Sequence, residues 1–157
     1  MKKIIPVVLS LFLSLMFSVS AEDARFVFAL SESAVGTDET AYVVVSVSEH
    51  EGFTGLALNV VYDCDKIRYV SYECSDCLPE GMFSVYDNEY GNVRVTFVPF
   101  GGMTYFYGDI VTLGFESLDG ECSSVIRIED SIAAVTDRNY KAADYVSVDG
   151  KAEFTDK

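Results

Sequence analysis

Residues 55–62 read Gly-Leu-Ala-Leu-Asn-Val-Val-Tyr, with Leu56, Leu58, Val60 and Tyr62 at every second position. Successive side chains of an extended strand point to opposite faces, so these four apolar groups share one side and Gly55, Ala57, Asn59 and Val61 the other. The first set demands a core. The second set carries no charge, which is unusual for a sheet surface that only meets water in a chain of 25 acidic and 11 basic residues. Asp63, Cys64 and Asp65 then favour a turn, and residues 66–70 resume as a second strand.

The same period of two recurs along the chain, at 25–30, 41–47, 83–86, 93–98, 110–117, 124–128, 145–148 and 151–154. Within 93–98 it directs Val93, Val95 and Phe97 inward and Arg94, Thr96 and Val98 outward. Turn residues separate these runs at 36–39, 74–81, 87–92 and 118–121, and residues 99–108 form a Gly-rich aromatic loop. Residues 129–140 fit either a helical turn or an irregular strand. No stretch holds a helical period over three turns, and neither repeats nor Pro- or Ser-rich linkers divide the chain. Roughly eight to ten short, closely spaced strands imply an all-β antiparallel sandwich or barrel, and the sandwich is the reading adopted.

At 157 residues and 50% hydrophobic content the chain suits one domain with a proper core. Its start is separate: Lys2 and Lys3 precede an apolar run to Val19, and Val19-Ser20-Ala21 offers small residues for cleavage. Residues 1–21 therefore read as a secretory signal peptide, with an uncleaved anchor as the alternative, and residues 22–157 as the domain. Secretion to the extracellular space follows, with no membrane attachment after cleavage. The formal charge of −14 repels phosphate backbones, so nucleic acid and anionic membrane are poor partners. Four cysteines in an exported chain permit three pairings. Strand order favours Cys64 with Cys122 at one end of the domain and Cys74 with Cys77 at the other, although all four are reduced if the source is strictly anaerobic.

Several of these stretches, in this order, resemble a cohesin domain, the module that receives dockerin domains in cellulosomes and related extracellular assemblies. The resemblance rests on Tyr42 to Val47, Gly55 to Asp63, Lys66 to Ser71, Gly108 to Phe115, the start at Ser123, and Ala133 to Asp137 leading to Val148-Asp149-Gly150. It implies a two-sheet jelly-roll sandwich of about nine strands, akin to some carbohydrate-binding modules, with one flat sheet presented to a dockerin's helices. The chain departs from the family pattern where specificity resides. Gly55 and Ala57 stand where the best-known cohesins carry Asn and Asp, Pro99 replaces a Glu, and Cys64 follows Tyr-Asp in place of Pro.

By parity, Asn59, Val61, Ser84, Tyr86, Arg94, Thr96, Val98, Thr112 and Glu116 project outward from what would be one sheet, forming a candidate face for a dockerin-type protein. Tyr and Arg are the anchor types that dominate such interfaces. A polysaccharide is the alternative partner, stacking on Tyr105 and Tyr107 of the aromatic loop, and a bare adhesin-like structural domain is a third reading. Catalysis is not expected. His50 is the only histidine, the paired carboxylates lack a cleft signature, and Cys74-x-x-Cys77 precedes no helix that would activate a thiol. No cofactor or metal site is indicated.

Overall fold

The computed structural model describes residues 26–129, 134–136 and 139–156; the expected signal peptide lies outside them. Twelve strands run through the described residues. In chain order they are β1 Phe26–Leu30, β2 Glu32–Gly36, β3 Ala41–Glu49, β4 Gly55–Val61, β5 Ile67–Cys74 and β6 Gly81–Asp87. There follow β7 Asn92–Pro99, β8 Gly108–Ser117, β9 Cys122–Ile128, β10 Ala134–Thr136, β11 Tyr145–Val148 and β12 Gly150–Thr155. They make two sheets, ordered β11-β1-β3-β8-β5 and β2-β12-β9-β4-β7-β6, with β10 added along the first half of β4. This is the expected all-β two-sheet sandwich.

Alternation decides what lies between the layers. Leu56, Leu58 and Val60 of β4 and Val93, Val95 and Phe97 of β7 are buried on the inner face of one sheet. Phe26, Phe28, Val43, Val45, Leu113 and Phe115 are buried on the inner face of the other. The register of β3 against β8 shifts between Val45 and Ser46, and this irregularity accompanies a break in the alternation of β8, where Ile110 and Val111 are both buried.

Three differences from the sequence reading matter. The sheets are mixed rather than antiparallel, since β1 pairs in parallel with β11 and β2 with β12. These partners lie far apart in the chain, so no hairpin dictates their direction. Residues 32–36, which the alternation pattern assigned to no strand, are a strand. Finally, the turn at residues 63–66 carries the chain from one layer to the other: β4 and β5, consecutive in sequence, belong to different sheets.

Candidate functional site

Strands β9, β4, β7 and β6 lie side by side, and their registers bring the outward residues into rows. Asn59 faces Arg94, which faces Tyr86; Ala57 faces Thr96, which faces Ser84; Val98 faces Met82. On the far side of β4, Val61 faces Arg127 of β9. Seven of the nine residues expected on a common face, Asn59, Val61, Ser84, Tyr86, Arg94, Thr96 and Val98, thus share one side of one sheet. Tyr86 is 67% exposed and Arg94 is exposed beside it.

Thr112 and Glu116 do not join them. Both belong to β8, which sits between β3 and β5 in the opposite sheet. Glu116 there accepts two hydrogen bonds from Arg68, from Nη2 at 2.7 Å and from Nε at 3.2 Å, and Thr112 lies between Val44 and Glu73. Parity places a side chain inside or outside its own sheet, but it does not say which sheet. Asn59 needs a second correction. It is only 4% exposed, because the chain leaving β9 runs alongside, with Glu129 N–H donating to Asn59 O at 3.0 Å.

Residues that the sequence reading left out complete the face. Met82 and Val125 are 62% and 55% exposed on it, and Arg127 is exposed at the edge of a depression of about 400 Å³ whose lining includes Val61, Lys66, Ser123 and Val125. Alternation within 122–128 marks Val125 and Arg127 as outward; only the register of β9 on β4 shows that they neighbour Val61.

The aromatic loop is held down rather than free. Phe53 and Thr104 exchange backbone hydrogen bonds at 3.0 and 2.8 Å. Gly52 N–H donates to His50 Nδ1 at 2.8 Å, which leaves Nε2 carrying the hydrogen that it donates to Phe106 O at 2.5 Å. His50 lies between the rings of Phe26, at 5.3 Å, and Tyr107, at 4.4 Å. Burial lowers its pKa, an effect only partly offset by the bond to Phe106 O. Tyr107 O–H donates to His50 O at 3.1 Å, so this ring is about half exposed with one face occupied, and Tyr105 is also about half exposed.

The expected crosslinks are not formed, and all four cysteines are free. Cys122 Sγ lies 3.6 Å from Lys66 O and 3.4 Å from Ser117 Oγ, whereas Cys64 is exposed. The extension of β5 makes Cys74 a strand residue rather than a loop residue; its thiol faces Ser75 O at 3.9 Å, and burial pushes its pKa up. Cys77 is exposed in the following turn, its N–H donating to Ser75 Oγ.

No protein-family model matches the sequence, and no curated protein is significantly similar to it. Solved structures are. CaCohA2 of Clostridium acetobutylicum, in its complex with CaDoc0917, superposes with a TM-score of 0.74 at 17% identity, over 83% of this chain and 99% of that one. The fold is that of a cohesin. A type I cohesin–dockerin complex of Clostridium thermocellum gives 0.71 at 15% identity, covering 86% of this chain and 96% of that one. A non-cellulosomal cohesin from the archaeon Archaeoglobus fulgidus gives 0.69 at 10%, over 83% and 91%. At such identities the likeness is one of cohesin architecture and extends over most of the described chain.

Proposed function

We propose that the chain is a non-catalytic protein-binding module that docks a dockerin-type partner on the outer face of β9-β4-β7-β6. The observation that carries this reading is the composition of that face: Tyr86, Met82 and Val98 are exposed on the strands of Arg94 and Val125 beside Arg127, whereas the chain as a whole is strongly acidic. Cohesins of this fold crystallised with dockerins add support. Export through a signal peptide at residues 1–21 would put the module outside the cell, in assemblies that degrade polysaccharide.

Binding of recombinant dockerins, measured by biolayer interferometry, tests the face. Tyr86→Ala or Thr96→Trp should weaken a bound dockerin at least tenfold. Both residues are at least partly exposed, so the melting temperature should stay within about 2 °C. If both variants keep wild-type affinity, the partner sits elsewhere. Polysaccharide binding at Tyr105 and Tyr107 is the second reading; affinity electrophoresis in which retardation is lost with Tyr107→Ala would favour it.

A further inference from the structure

We infer that the partner presents an acidic contact surface, with carboxylates set among apolar side chains; this rests on the docking reading above. Among the described cations, Lys66 is paired with Asp63 at 3.1 Å, Arg68 with Glu116 at 2.7 Å and Lys151 with Glu153 at 2.6 Å. Arg94 and Arg127 are exposed, and no carboxylate among the described residues lies within ion-pair distance of either. Both belong to the one face, and the outward positions of β4, β6, β7 and β9 include no Asp or Glu. The flanking acids include Asp63, engaged by Lys66, Glu153, opposite Ser123 on the neighbouring β12 and engaged by Lys151, and Glu129, just past β9.

In a chain of net charge −14, the two unmatched guanidinium groups among the described residues therefore lie on a face that also exposes Tyr86, Met82, Val98 and Val125. Burying them under a neutral or basic partner would strip their water without replacing it, whereas carboxylates supply charge-assisted, often bidentate hydrogen bonds. The spacing suits a helix. Arg94 stands opposite Asn59 on one side of β4 and Arg127 opposite Val61 on the other, which sets their backbones about 12 Å apart for ordinary strand spacing and rise. Two turns of helix separate side chains by about 10.8 Å. Repulsion from the rest of the acidic surface is screened beyond about 8 Å at physiological ionic strength, so the local arginines govern the contact.

The test uses the purified chain and recombinant dockerins from the same genome, sorted by whether their contact helices carry Asp and Glu or Lys and Arg, with polygalacturonate as a polyanionic control. The inference expects the acidic set to bind, Arg94→Glu and Arg127→Glu each to weaken binding at least tenfold, and a Glu→Arg change on the bound dockerin to restore affinity toward the reversed variants. Arg94→Gln, checked by thermal melting, separates loss of charge from loss of fold. Binding confined to basic contact helices, or unaltered by both reversals, overturns the inference and leaves the docking reading standing. Failure of every dockerin to bind the wild-type chain overturns both. Arginine-dependent retardation by polygalacturonate without dockerin binding likewise overturns both, and assigns the face to an acidic sugar.

Discussion

His50 is neutral where it stands, stacked on two rings and with Nδ1 accepting from Gly52 N–H. Protonating it would put a hydrogen on the accepting nitrogen and a charge among aromatic rings. With its folded pKa below the ordinary value near 6.5, the unfolded chain binds more protons than the folded one just below that pH. The contribution of His50 to stability is therefore complete above about pH 6.5 and declines as pH falls toward the lowered folded value. Urea midpoints should drop between pH 7.5 and 5.5, and His50→Gln should flatten that part of the profile. Gly91 is a second decisive residue. Its φ is +79°, and a Cβ there would come within 2.6 Å of Tyr62 O. Gly91→Ala should cost about 1–3 kcal/mol in chemical denaturation, from strain at positive φ added to the backbone clash.

The strands that were legible in the sequence are those whose two sides differ in character. In β3, β4 and β7, and in β8 from Val111 onward, the large apolar residues alternate, and the inner set is buried. Their value to the core can be measured: Phe97, 1% exposed and facing the rings of Phe53 and Phe83 at 6.3 and 6.4 Å, should cost about 3–5 kcal/mol on replacement by Ala. Pairing was less legible because it is set by contacts remote in sequence. Thr112 and Glu116 alternate correctly on β8 yet face away from Arg94, since β8 pairs with β3 and β5. β2 was missed because Glu-Ser-Ala-Val-Gly has no strong alternation and draws its order from β12. The same limit applies to Arg127: its outward direction is local information, but its place beside Val61 is not. Cys122 Sγ lies against Lys66 O, in the turn that also holds Cys64, as strand order suggested, and all four cysteines are free.

For the molecule as a whole, 25 acids against 11 bases mean that compaction works against self-repulsion. Screening should relieve it, so the melting temperature is expected to rise as NaCl is increased from about 20 to 300 mM, over which the Debye length shrinks from about 20 to 6 Å. A fall over that range would show that specific pairs such as Arg68–Glu116 outweigh the general field. Among the described residues the edge strand β2 pairs with β12 alone, and just beyond it Thr37 Oγ1 donates to Asp156 Oδ1, 119 residues away. A ribosome therefore makes the first of these segments well before the second. Until β12 has emerged, β2 has no strand to zip against, so this edge of the sandwich closes late in synthesis. For a polypeptide exported as proposed above, that delay keeps the nascent chain loose enough to be threaded through a membrane pore before it locks.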